Sequence, residues 1–177
     1  MTDDAFDGIM SSLDAPLVVV TAATAQERAG CLVGFHSQSS IGPERYCVWL
    51  SKANHTYRVA LRSTHLAVHF LTPADLPLAE RFGTLTGDRS NKFAGLPVRQ
   101  GPGGVPVLQR CPHWLVGTRT AVLDEGGDHV GLVIEPVAAH SEGPFEPLRT
   151  SGAAHIVAAH RPWERHDPPT ERAAPGR

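Results

Sequence analysis

The stretch Trp114-Leu115-Val116-Gly117-Thr118-Arg119-Thr120-Ala121-Val122-Leu123 alternates between two faces and runs into Asp124-Glu125-Gly126-Gly127. Beyond that turn Val130, Leu132 and Ile134 again take every second position. A period of two on either side of a glycine-rich turn predicts an antiparallel β-hairpin. Upstream, Leu17-Val18-Val19-Val20-Thr21-Ala22 is a β-branched run of strand length, and polar residues 24–28 closing on Gly30 predict a second hairpin turn. Residues 31–37 and 46–51 read as two further strands separated by Gly42-Pro43, and His65-Leu66-Ala67-Val68-His69-Phe70-Leu71 as a buried one. A last strand is expected at 154–159.

Helical spacing is confined to three short segments. Over 3–13, Phe6, Ile9, Met10 and Leu13 fall at i, i+3, i+4 and i+7, and Pro16 ends the pattern. Residues 54–63 carry Tyr57 and Leu61 on one side with Asn54 available as N-cap, and 76–82 place Leu78 and Phe82 four apart. Glycine, proline and polar residues dominate from 83 to 104, which predicts a long surface excursion of the kind that is often functional. From Arg161 the chain is rich in Pro, Arg and Glu, so one domain over 1–160 with a disordered tail over 161–177 is expected. Six or so short strands with three short helices predict a mainly β fold: an antiparallel barrel with helices at its ends. The order does not follow βαβ alternation, and no G-x-G-x-x-G or Walker loop occurs.

Composition narrows the partners. Sixteen Lys and Arg against eighteen Asp and Glu give a net charge of -2, which offers no basic field for nucleic acid or an anionic membrane. The longest apolar runs fall far short of the roughly 20 residues of a membrane span. The start Met1-Thr2-Asp3-Asp4 is acidic where a signal peptide is basic, so a cytoplasmic protein is expected. Cys31, Cys47 and Cys111 are odd in number and widely spaced, which predicts buried free thiols.

Ten histidines raise a metal site as the first chemistry to weigh. On a strand, however, His65 and His69 stand ~13 Å apart, too far to share an ion, and no H-E-x-x-H occurs, so no metal is expected. Ser12, Ser37, Ser39 and Ser40 lack the G-x-S-x-G elbow of a hydrolase. The informative segment is Ser51-Lys52-Ala53-Asn54-His55-Thr56, where a strand ends and a helix begins. Unpaired N–H groups and the positive dipole end of a helix suit a phosphate. Lys52 adds a charge there, while Ser51, Asn54, His55 and Thr56 add side-chain donors. Capping alone accounts for Asn54, but not for Lys52 and His55 as well.

Several stretches in a fixed order complete the reading. They are residues 30–57, then Leu66-Ala67-Val68-His69-Phe70-Leu71, Leu78-Ala79-Glu80-Arg81-Phe82-Gly83, Thr86-Gly87-Asp88-Arg89-Ser90-Asn91-Lys92-Phe93, Gly104-Val105-Pro106-Val107-Leu108 and Gly127-Asp128-His129. In order and spacing the chain resembles the flavin reductase-like family of FMN-binding split barrels, over about residues 14–142. The resemblance implies an FMN-dependent oxidoreductase that passes hydride from NAD(P)H to flavin. It further implies that Leu32, Val33, Gly34, Phe35, His36 and Ser37 border the flavin ring, and that Ser51, Lys52, Ala53, Asn54, His55 and Thr56 hold its phosphate. His129 then stands on the nicotinamide side, and Lys92 with Phe93 flanks the site. Phe82 and Phe93 are nonetheless expected to pack in the core.

Two departures bear on the cofactor. Gly34-Phe35-His36 stands where the family's ring-side motif has Ser-Ser-Phe, and Pro43-Glu44-Arg45 where it has Pro-Pro-Leu. The first removes two hydroxyls and adds an imidazole, which leaves FAD or a deazaflavin as alternatives to FMN. A flavin- or haem-binding module without turnover is the second functional reading. Split barrels of this kind imply a homodimer, and a reductase of this type implies free flavin or a partner monooxygenase as acceptor.

Overall fold

The computed structural model describes residues 3–85, 87 and 90–157, with backbone alone at positions 3 and 4. After α1 (Asp3–Ser12) come β1 (Val18–Ala23), β2 (Arg28–Val33), β3 (His36–Ser40) and β4 (Arg45–Ser51). Next are α2 (His55–Arg62), β5 (His65–Phe70), α3 (Leu76–Thr84), β6 (Val98–Gln100), β7 (Pro106–Leu108), β8 (Trp114–Leu123) and β9 (His129–His140). Seven strands form one sheet in the order β2-β1-β5-β8-β9-β4-β3, and its paired neighbours all run antiparallel. The alternating hairpin read from the sequence is β8–β9, the longest pairing in the sheet.

Chain connectivity forces this sheet to curl. β2 and β3 are its opposite edges, yet only Gly34 and Phe35 separate them in sequence. Three Cα steps reach at most about 11 Å, whereas seven flat strands would hold the edges ~29 Å apart. The sheet therefore rolls until its edges meet, as a barrel with its seam at Gly34–Phe35. The Trp49 N–H donates to the Phe35 carbonyl at 2.9 Å, which ties the seam to β4.

Alternation then sorts the side chains. Val18 and Val20, Cys31 and Val33, Val48 and Leu50, Leu66 and Val68, and Leu132 and Ile134 all turn into one buried cluster, closed by Val59 and Ala60 of α2. The opposite face of β1 packs Leu17 and Val19 against Leu71, Phe93 and the inner side of α3, Leu78, Ala79 and Phe82. Burying Phe82 contributes about 2–3 kcal/mol. Gly30 makes room for it, because a Cβ there would stand 2.7 Å from the Phe82 ring. Phe82 and Phe93 meet edge to face at 5.4 Å, in the core as expected. The three cysteines are buried and free, also as expected.

The structure departs from the sequence reading at four places. Residues 31–37 are not one strand: β2 stops at Val33 and β3 starts at His36, because the seam falls between them. Residues 154–157 form no strand. A 3-10 turn at Thr150–Ala153 leads instead to Ile156, packed beside α3, and His155 pairs with Glu80 of that helix at 2.7 Å. Positions 158–159 of that expected strand, like the tail from 161, lie outside the described residues. The 83–104 excursion contains β6, which pairs with β7 as a separate ribbon. α1 forms with the expected spacing, but Phe6, Ile9, Met10 and Leu13 all remain exposed. Among the described residues no helix is long and apolar enough to cross a membrane.

Candidate functional site

Register between β4 and β9 builds the first part of the site. It sets Ser51 opposite His129 and continues as a 2.8 Å hydrogen bond from the Lys52 N–H to the Asp128 carbonyl. Across the seam, the Phe35 ring is 63% exposed and its centroid lies 5.1 Å from that of His129. His129 shares a 2.8 Å contact between Nδ1 and the Asp128 carboxylate, and Lys52 Nζ donates to Asp124 Oδ1 at 2.8 Å. That hydrogen bond from Lys52 is the main reason the Asp124 carboxyl is held below its ordinary range. Phe35, Ser51, Lys52 and His129, four of the residues expected from sequence, thus gather at one end of the barrel.

The start of α2 follows directly. Asn54 is the N-cap, accepting from the Thr56 N–H at 2.9 Å, and Ser51 Oγ accepts from the Ala53 N–H at 3.3 Å. Several backbone donors of this turn are therefore already bonded at home, which leaves recognition of an anion mainly to side chains. His55 opens the helix with Nδ1 3.0 Å from Arg58 and Nε2 3.1 Å from the Glu27 carboxylate. Glu27 is also paired with Arg62. Thr56 is buried, and so is Cys31, whose thiol burial pushes above its ordinary pKa.

Beside His55 opens a cleft of about 790 Å³, lined by the β1–β2 turn, Gly87, residues 90–93, Gln100 and Gly104. This is the size range of small-molecule and cofactor sites. Lys92 lies in its wall, only 4% exposed, with Nζ donating to the Phe82 carbonyl at 2.9 Å. Burial lowers its pKa, a trend that the neighbouring Cys31 partly offsets. Gly87 lies against His55, where a Cβ would come within 2.8 Å of the imidazole.

The other expected residues lie on β2, in the seam, on β3 and in the turn before α2. Val33 faces the barrel interior and Leu32 packs toward α3. Ala53 is buried, and Ser37 is exposed on β3, bonded to the Gln38 carbonyl. Gly34 lies in the seam itself. His36 has both nitrogens engaged within the protein, Nδ1 at 2.6 Å from the Tyr46 hydroxyl and Nε2 at 2.9 Å from the Pro16 carbonyl. Burial lowers the pKa of His36 and raises that of Tyr46 to about 12. Sequence reasoning missed Asp124 and Glu27. Asp124 lay in the turn already read, but Glu27 meets Arg62 across 35 positions and carries no local signal.

At one mouth an antiparallel barrel split along a seam thus presents an exposed ring, an imidazole and a short run of polar donors. Phe35 presents an exposed ring, and Ser51 and Lys52 carry side-chain donors, a set that would fit a flat heterocycle bearing a phosphate. The flavin reductase like domain matches residues 10–152, and the chain belongs to that family.

Solved structures share the fold at low identity. An FMN-binding protein from Thermus thermophilus with bound 1-cyclohex-2-enone is 20% identical at TM-score 0.69, covering 76% of this chain and 79% of that one. An NADH:FAD oxidoreductase from Streptomyces globisporus is 20% identical at TM-score 0.70, covering 78% and 82%. A chain from Sinorhizobium meliloti 1021, provisionally described as an oxidoreductase, is 21% identical at TM-score 0.68 over 76% of this chain. This chain spans 46% of that longer one.

Proposed function

We propose that the protein is an NAD(P)H:flavin oxidoreductase whose flavin, FMN or the FMN half of FAD, lies across the Gly34–Phe35 seam. The observation that carries this reading is the β4–β9 register, which gathers Phe35, Ser51, Lys52 and His129 at one mouth of the barrel. When bound, the flavin supplies the hydride chemistry, and the protein supplies orientation and electrostatics. Phe35 covers one edge of the ring, while Ser51 and Lys52 hold the phosphate. Lys52 does so in exchange for, or together with, its bond to Asp124. The Asp128 carboxylate accepts from His129 Nδ1–H, which fixes the tautomer and leaves Nε2 as the acceptor that positions the nicotinamide carboxamide. Electrons then leave to free flavin or to a partner monooxygenase.

A visible absorbance scan with FMN and then NADH or NADPH tests this directly. Flavin bands that bleach on adding the nicotinamide and recover in air are the expected result. His129→Ala is expected to slow that bleaching at least about tenfold with flavin affinity retained. Bands that bind and never bleach would move the protein to the second reading, a binding module or a deazaflavin enzyme. Loss of the two ring-side hydroxyls, with His36 fully engaged, is what favours that alternative.

The uncovered face of α1, where Phe6, Ile9 and Leu13 are each more than half exposed, supports a homodimer. Sedimentation as a monomer at working concentration would overturn the dimer.

A further inference from the structure

β9 runs from His129 to His140, so its far end lies roughly 36 Å along the strand from the proposed flavin mouth. There Phe70, Trp114, Leu115, Ala139 and Phe145 wall a second cavity of about 380 Å³, at the small end of the range for small-molecule sites. Ring contacts hold those walls in place. Trp114 is met by the Arg99 guanidinium, 4.3 Å from its centroid, and by the His140 ring stacked at 5.9 Å. Phe145 stacks on His113 at 4.0 Å and tilts against Phe70 at 6.4 Å. The cavity is therefore largely preformed.

His113 gives this apolar enclosure its chemistry. It lines the cavity at only 6% exposure, and its main chain is fixed where the carbonyl accepts from the Phe70 N–H at 2.8 Å. Proton accounting then settles the tautomer. The Ser141 hydroxyl spends its single hydrogen on the Gly143 carbonyl at 3.0 Å and accepts from the Gly143 N–H at 3.3 Å. Toward His113 it can only accept, so Nδ1–H donates to it at 2.9 Å and Nε2 is left as a bare acceptor. Among the described residues Nε2 has no partner, and a buried acceptor without a donor is costly. Water completes such a site poorly, because it needs at least about two polar partners and these walls are carbon. A flat apolar body with one hydroxyl answers both demands, and the acidic O–H of an aromatic ring suits a basic imidazole nitrogen best. We propose that this cavity binds a phenol, its ring against the aromatic walls and its O–H donating to His113 Nε2. The site is separate from the flavin mouth and stands without the flavin reading.

The test is a calorimetric titration of the full chain with phenol and with anisole, the same ring with no hydrogen on its oxygen. Phenol is expected to bind at least about tenfold more tightly, the scale of one buried hydrogen bond. His113→Phe keeps a ring to stack on Phe145 and removes the acceptor, so it is expected to bind the two compounds equally. Should that variant fail to fold, Ala139→Trp fills the cavity from an exposed position of β9 and is expected to abolish phenol binding. Saturation with FMN is expected to leave phenol affinity unchanged. No binding of phenol, equal affinity for phenol and anisole in the parent chain, or a preference that survives His113→Phe would overturn the proposal. Parent-like phenol binding by Ala139→Trp would do the same. So would loss of phenol on adding FMN, which would move it to the flavin mouth. A parent chain that binds phenol but no flavin would support this site and defeat only the flavin reading.

Discussion

Two histidines on the same sheet show how differently one side chain is used. On β5, His69 is fully buried; its Nδ1–H donates to the Val19 carbonyl at 3.0 Å and its Nε2 accepts from the Leu108 N–H at 3.0 Å. Both nitrogens are satisfied by backbone, so the imidazole links β1, β5 and β7 as a structural strut. At the start of β9, His129 is partly exposed, anchored through one nitrogen to Asp128 and set beside the exposed Phe35 ring. A buried polar group whose bonds are all made contributes to stability, while one with bonding capacity left at a rim contributes to recognition.

The sharpest way to break this contrast is to remove the strut. His69→Leu leaves the Leu108 N–H without a partner and strips the Val19 carbonyl of its side-chain bond, at a cost of about 2–4 kcal/mol. A fall in melting temperature of roughly 10 °C is expected from a domain of this size. A variant as stable as the parent would remove the distinction.

Acid offers a gentler route to the same bonds. Burial lowers the His69 pKa from 6.5 to about 4. Between those two values the unfolded chain binds a proton that the folded chain refuses. Stability is therefore complete above about 6.5 and falls as pH drops toward 4, by up to about 3 kcal/mol. Chemical denaturation across that window should show the slope, and His69→Leu should flatten it.

The smallest effect is expected at the rim. Asp124→Asn releases Lys52 from its exposed pairing, so flavin is expected to bind roughly threefold tighter with an unchanged melting temperature. Weaker flavin binding would show that Asp124 orients Lys52 rather than competing for it.

Legibility in the sequence followed the range of each interaction. The β8–β9 hairpin and the Asn54 cap were readable because residues a few positions apart decide them. The seam was not, since nothing local marks Gly34 and Phe35 as the point where a seven-stranded sheet meets itself. The run from Cys31 to Ser37 looks like one strand until β9 is known to lie between β8 and β4. The burial of Lys92 left no local trace in the sequence, because it depends on a carbonyl ten residues away, at Phe82. The site was legible as a list of residues. Its division into a seam, a cap and a cleft was set by pairings such as Glu27 with His55 and Arg62, for which local patterns give no signal.

The seam also governs the order in which the barrel can be assembled during synthesis. β1 and β4 each pair early with one hairpin partner, but their other sides wait for β5 and β9. At about 5–20 residues per second, the chain from Ser51 to His129 takes roughly 4 to 16 seconds to emerge. Throughout that interval β4 presents the backbone of Tyr46, Cys47, Val48, Trp49 and Leu50 as an open template. Its protection until β9 arrives is a matter of kinetics, and a slowly translated or chaperone-starved chain would be most vulnerable to wrong pairing along that one strand.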